Sequence, residues 1–244
     1  MTSWDKVGAW YDALVGTEGH YYHQHVILPK LLPMLDLKPS SSLLDLGCGQ
    51  GILAAALPPA IKYMGLDLAP SLLAKAPKGP QRTYKTADAC APLDVPAASF
   101  THATMILSLQ NMEHPDRALL HAAQALAPQG LLVCVLNHPC FRIPRQTHWQ
   151  VDEQQKLQYR RINRYLTPLS IPIDMHPGQK GPKTYSFHYC LSDYSKFLHA
   201  AGFAIELLEE WASDKMSTGK AAKMENFARK EFPLFLTLKC RKQS

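Results

Sequence analysis

The sequence predicts an α/β domain built on an open, doubly wound parallel sheet, and three observations carry that expectation. Between residues 42 and 136 short apolar runs alternate with helical stretches, and strands separated by helices imply right-handed βαβ crossovers. The first run ends in Asp45-Leu-Gly-Cys-Gly-Gln-Gly51, a glycine-rich strand-to-helix turn of the kind that meets ligands at the carboxyl edge of such sheets. Leu131-Leu-Val-Cys-Val-Leu136 is apolar throughout, as a strand covered on both faces requires.

Taken in order, Ser42 to Leu46 reads as the first strand and Ile52 to Leu57 as a helix stopped by Pro58-Pro59. Ile61 to Leu68 is the second strand, with Asp67 at its end, and Pro70 to Ala76 a helix whose proline suits the first turn. Arg82 to Thr86 is a short third strand; Phe100 to Leu109 is a fourth, its run Ala103 to Leu107 apolar enough for burial. Pro115 to Leu126 sets Leu119, Leu120, Ala123 and Leu126 on one helical face, and Pro128-Gln-Gly130 breaks the helix before the fifth strand, Leu131 to Leu136. From Asn137 to about Cys190 no period persists, and the segment is rich in Pro, Arg, His and aromatics. An irregular stretch of roughly 50 residues inside a compact domain reads as a functional lid. A helix capped by Ser192 runs to Ala201, and Phe203 to Leu208 and Phe232 to Leu238 supply two more strands.

Composition bounds the function. With 244 residues, 46% apolar and 19% charged, the chain can bury one full core and is not of the disordered class. No apolar run approaches the roughly 20 residues that cross a bilayer. Asp5 and Lys6 stand where a signal peptide would be apolar, so a cytoplasmic location is expected. Six cysteines are scattered with no C-x-x-C pair, which suggests neither a zinc site nor a disulfide framework and fits a reducing compartment. His20, His23 and His25 do not share a helical face and have no nearby carboxylate or cysteine to complete a set, so no metal is expected. Their segment, with Tyr21 and Tyr22, reads as a helix packed over a cleft. The net charge of +6 is concentrated in residues 138–190, which hold eight basic and three acidic side chains. Such an excess steers anions.

The glycine turn argues against a dinucleotide. A G-x-G-x-x-G fingerprint needs its third glycine where Ile52 stands. Asp45, two residues before the first glycine, would repel a pyrophosphate but not an ammonium-bearing cofactor. Asp67 lies 20 residues after Gly47 at a strand end, where a carboxylate accepts hydrogen bonds from ribose hydroxyls. An adenosine ligand is implied.

On these residues the chain resembles the class I S-adenosylmethionine-dependent methyltransferases, and more narrowly the group that includes ubiquinone and menaquinone C-methyltransferases, over roughly residues 8 to 136. The resemblance implies a Rossmann-like, seven-stranded sheet with an antiparallel last strand in a single domain over residues 1–244. Residues 1–40 would form an N-terminal helical cap and 138–190 a lid inserted after strand 5. It implies S-adenosylmethionine as cofactor. Asp45, Gly47, Gly49 and Gly51 would hold the methionine part, Asp67 and Leu68 the ribose side, and Asp88-Ala89 the adenine. Leu107, Ser108, Gln110 and Asn111 would face the methyl group, with the ring of Tyr11 near the sulfonium by cation–π attraction.

Methyl transfer from a sulfonium is an in-line displacement accelerated mainly by alignment and exclusion of water. A base matters only if the nucleophile brings its proton, and His138, directly after the fifth strand, and His188 are the candidates. The acceptor would be a small molecule, anionic or aromatic, met by Tyr22, Gln110, Asn111, Arg142, Trp149, Arg160 and Tyr185; arginine favours bidentate grip on carboxylate or phosphate. Two other functions stay open: an RNA methyltransferase, since basic and aromatic residues interleave, and a non-catalytic cofactor-binding partner protein. Against the first, Gln110-Asn-Met-Glu stands where many amino-group-modifying nucleic-acid enzymes carry Asn-Pro-Pro-aromatic.

Overall fold

The computed structural model describes residues 20–174 and 183–243. Among them, seven strands form one sheet in the order β3-β2-β1-β4-β5-β11-β10. Strands β1 (Ser42–Leu46), β2 (Lys62–Asp67), β3 (Arg82–Thr86), β4 (Phe100–Ile106) and β5 (Leu126–Asn137) run parallel. The last strand, β11 (Phe235–Lys242), is antiparallel to both β5 and β10 (Phe203–Trp211). The chain moves outward from β1 to β3 and returns to β4 on the other side of β1. The crevice above the carboxyl ends of β1 and β4 is therefore the switch point where open α/β sheets bind ligands.

Strand β5 shows why the sheet is covered twice. Leu132, Cys134 and Leu136 join one core with helices α4 (Pro115–Ala125) and α5 (Leu191–Ala200), while Leu131, Val133 and Val135 join a second with α1 (Leu28–Leu35) and α2 (Ile52–Ala56). All six are almost fully buried, and burying each such side chain stabilises the fold by about 1.5–3 kcal/mol. On α4 the buried face runs through Ala118, Leu119 and Ala122, and Leu120 points outward.

Four elements depart from the sequence reading. Strand β5 begins at Leu126, because Pro128-Gln-Gly130 does not end the pairing: Gln129 turns into the left-handed region and the register with β4 shifts between Phe100 and His102. Strand β4 stops at Ile106, and Leu109–Asn111 forms a 3-10 turn. Helix α5 is capped by the extended Cys190, not by Ser192, whose hydroxyl lies 3.0 Å from the Cys190 sulfur. The lid contains two antiparallel hairpins, β6 (Thr147–Asp152) with β7 (Leu157–Ile162), and β8 (Leu169–Asp174) with β9 (Lys183–His188). Helices α3 (Pro70–Leu73) and α6 (Ala222–Glu231) complete the regular structure.

Ahead of α1, His23–Ile27 forms a π-helical turn, closed by the Leu28 amide on the His23 carbonyl. Pro29 has no N–H to give to the carbonyl four residues back, and the wider turn makes room for its ring. No helix among the described residues is long and apolar enough to cross a membrane.

Candidate active site

The glycine turn is held by its neighbours on both sides. Gly47 and Cys48 donate their amides to the Leu66 carbonyl at 2.7 and 3.1 Å, tying the end of β1 to the end of β2. Gly49 donates to Asp67 Oδ2 at 2.8 Å, and Ala69 to Asp67 Oδ1 at 2.9 Å. One carboxylate thus fixes both the glycine turn and the turn after β2. On the other flank, Ser108 Oγ donates to the Leu46 carbonyl at 2.8 Å. Leu107 sits at φ 52°, an uncommon conformation for a branched residue, and its carbonyl accepts the side-chain amides of Gln110 and Asn111 at 3.0 and 3.1 Å. Backbone strain of this kind persists where the surroundings over-determine it.

These residues enclose a cleft of about 670 Å³. Gly47, Gly49, Asp67, Leu68, Asp88, Ala89, Leu107 and Asn111 line it, and so do Leu72, Ala87, Ile106, Ser108 and Met112. Asp88 Oδ1 accepts the Cys90 amide at 2.8 Å, which shapes the turn after β3. Of the lining residues, Leu72, Ala87, Ile106 and Met112 escaped the sequence reading, since an apolar residue in an apolar run carries no mark of facing a cleft.

Other predicted residues sit elsewhere. Asp45 is buried behind the turn, where Tyr63 and Thr104 hydroxyls each donate to it at 2.8 Å. Burial raises its carboxyl to about 6 against the opposing effect of those two hydrogen bonds. It lines a smaller pocket beneath the turn, together with His23, Gly47, Gly49 and Gln50. Gly51 does not reach the cleft: at φ 76° it caps α2, and a Cβ there would lie 2.8 Å from Pro77 Cδ. Gln110 turns back onto Leu107 and lines neither cavity. Tyr11 lies outside the described residues.

Neither histidine is placed as a base. His138 is 1% exposed; its Nδ1 accepts the Cys140 amide at 3.1 Å, so Nε2 carries the proton and donates to Glu210 at 2.7 Å. Burial lowers its pKa, against the pull of Glu210. His188 is buried as well and donates Nε2 to the Tyr165 carbonyl at 2.6 Å. His138 pins the start of the insertion to β10, and His188 ties the end of the insertion to Tyr165 within it. His138→Ala should therefore cost about 2 kcal/mol in stability while turnover below the lowered melting temperature stays within about twofold, a split that denaturant melts and initial rates would reveal.

Of the predicted acceptor residues, Arg142, Trp149 and Arg160 converge on a second cleft at the end of β5, lined also by Asn137, Thr147 and His148. Arg160 donates to the Phe141 carbonyl and to Thr147 Oγ1, and its guanidinium lies 4.9 Å from the Trp149 ring centre. Tyr22 packs edge-on against Phe235 with its hydroxyl 3.2 Å from Ser213 Oγ. Tyr185 is exposed beside Phe187 and lines neither cleft.

A glycine cradle at a switch point and a carboxylate ending the next strand are the features of a nucleoside-dependent group-transfer enzyme of the methyltransferase class. The chain belongs to the methyltransferase domain family, whose model matches residues 20–208. An S-adenosylmethionine-dependent methyltransferase from Mesorhizobium loti is 29% identical, with a TM-score of 0.70 over 88% of this chain and 96% of that one. A Listeria monocytogenes chain described as an S-adenosylmethionine-dependent methyltransferase is 23% identical, with a TM-score of 0.67 over 91% and 98%. A Haloferax volcanii methyltransferase solved with the Trm112 methyltransferase activator shares the fold at 16% identity, with a TM-score of 0.70 over 100% and 98%. No curated protein matches the chain. The protein is an S-adenosylmethionine-dependent methyltransferase; these likenesses reach the class and do not single out the ubiquinone and menaquinone group.

Proposed function

We propose that the enzyme methylates a small organic acceptor bearing an anionic group, held in the cleft at the end of β5. The observation that carries this reading is Arg142. It lines this cleft, and burial lowers its pKa although the residue as a whole is exposed. Among the described residues its guanidinium makes no hydrogen bond or ion pair, and its backbone amide donates to the His138 carbonyl. Arg160 is also lowered by burial and then by the charge of Arg142, and its hydrogen bonds go only to neutral oxygens. Two neighbouring cations without a carboxylate favour a bound carboxylate or phosphate, and Trp149 adds an aromatic wall.

The bound cofactor supplies an electrophilic methyl group on a sulfonium. The chain's own contribution is positioning. Asp67 lines the cleft at the end of β2, where its carboxylate would accept from ribose hydroxyls; the Gly47 and Gly49 backbone leaves room for the amino-acid end. Leu107, held by Gln110 and Asn111, forms part of the donor cleft's wall. The 138–190 insertion is the acceptor lid, with hairpin β6–β7 carrying Trp149 and Arg160 to the cleft and limiting water there. With His138 and His188 committed to structure, alignment rather than general-base catalysis supplies the rate.

Arg142→Ala is expected to raise the acceptor KM by tenfold or more, with cofactor affinity unchanged. The acceptor is found by incubating enzyme and radiolabelled S-adenosylmethionine with a cell extract. Label in small anionic metabolites is the expected result; label that disappears on RNase treatment would overturn the reading in favour of an RNA acceptor.

A further inference from the structure

Beneath the glycine turn lies a pocket with an unpaired polar group in it. His23, nine-tenths buried, lines this pocket from the π-helical turn, and among the described residues its Nδ1 has no hydrogen-bond partner. A buried imidazole nitrogen left unpaired costs about 1–3 kcal/mol, a cost that a ligand group reaching it would remove. Gly47, Gly49 and Asp45 line the same pocket. Gly47 and Gly49 also line the main cleft, so the two cavities share the turn as a common wall. π-helical turns recur at functional sites because they displace one side chain from the regular helical ladder.

We infer that His23 is a cofactor-binding residue whose Nδ1 accepts a hydrogen bond from the α-ammonium of the cofactor's amino-acid end, with Asp45 as the opposite charge behind the glycine turn. The inference rests on the cofactor assignment and adds to it a residue that the glycine pattern does not contain.

The choice of ammonium over carboxylate follows from the groups around the pocket. Burial, and secondarily the neighbouring His20, holds His23 down to about 4, so at neutral pH the ring is uncharged and offers one acceptor nitrogen. Asp45, raised to about 6 with Asp67 contributing, is mostly ionised at pH 7. A carboxylate guest would meet a like charge and a neutral ring. An ammonium meets an opposite charge and an acceptor.

The test is calorimetry of the full chain with three ligands: S-adenosylhomocysteine, decarboxylated S-adenosylmethionine, which keeps the amine and lacks the carboxylate, and methylthioadenosine, which lacks both. His23→Leu is expected to weaken the first two by about tenfold or more, the low end for a hydrogen bond to a charged group, and to leave methylthioadenosine unchanged. Unchanged S-adenosylhomocysteine affinity overturns the inference, as does an equal loss for methylthioadenosine. Loss for S-adenosylhomocysteine but not for the decarboxylated ligand assigns the carboxylate instead and overturns it too. Failure of the unmodified protein to bind S-adenosylhomocysteine would strike the cofactor assignment itself. If His23→Leu does not fold, NMR of nitrogen-labelled histidine in the unmodified protein decides. S-adenosylhomocysteine should move the His23 Nδ1 resonance and methylthioadenosine should not, and a still resonance with both overturns the inference.

Discussion

Replacing Gly47 with alanine should abolish measurable binding of S-adenosylhomocysteine and lower unfolding stability by about 2–4 kcal/mol. The residue sits at φ 75°, where an added Cβ costs about 1 kcal/mol. That Cβ would also lie 2.4 Å from Ser108 Cβ and 2.9 Å from its hydroxyl. Ser108 cannot retreat without giving up its hydrogen bond to the Leu46 carbonyl, and Gly47 cannot without giving up Leu66. Overpacking of this kind costs about 1–3 kcal/mol, and whichever side yields, the wall of the cleft moves. Gly49→Ala is the control. Its Cβ would meet no protein atom within 4 Å, so for stability only the conformational cost at φ 56° remains, whereas cofactor binding should still suffer because Gly49 lines the cleft. Denaturant melts and calorimetry on the pair check the expectation; equal tolerance of the two substitutions would show that Gly47 is not pinned.

Asp67→Ala should weaken S-adenosylhomocysteine by about a hundredfold, the loss of two charge-assisted hydrogen bonds to a ligand. It should also cost about 2 kcal/mol in stability, because the amides of Gly49 and Ala69 lose their acceptor. Asp67→Asn tests the charge. Its amide can accept from only one of the two backbone donors through its oxygen, and its NH2 group then confronts the other. It should be nearly as damaging as alanine. A variant that kept full affinity would remove Asp67 from the ribose contact.

The cradle was legible before any coordinates because everything that defines it is local. Three glycines at positive φ and a carboxylate at the next strand end are features of spacing, and the sheet order follows from alternation and chirality. The long-range pairings were not legible. Nothing near His138 in the chain indicates that its ring meets Glu210, 72 residues away, and a histidine after a strand looks the same whether it is a base or a pin. Nor did spacing show that the Asp45 carboxylate is held by Tyr63 and Thr104, on the two strands that flank its own. The hairpins were missed for a different reason. Val151, Leu157, Tyr159 and Ile162 stay exposed, so strands β6 and β7 do not show the apolar alternation that marks a strand against a core. The segment of His23 was read as a helix packed over a cleft, but spacing alone did not separate His23, which lines the pocket, from His25, which stacks on Tyr21.

The insertion is fastened at both feet. At its start the His138 amide reaches Leu234 and its ring reaches Glu210 on β10. At its end the His188 ring and the Leu191 amide both hold Tyr165. On the function proposed above, donor handling is thereby decoupled from acceptor choice: the ribbons between the fastenings would act as an exchangeable cassette, whose replacement should alter what is methylated while the machinery that delivers the methyl group stays in register.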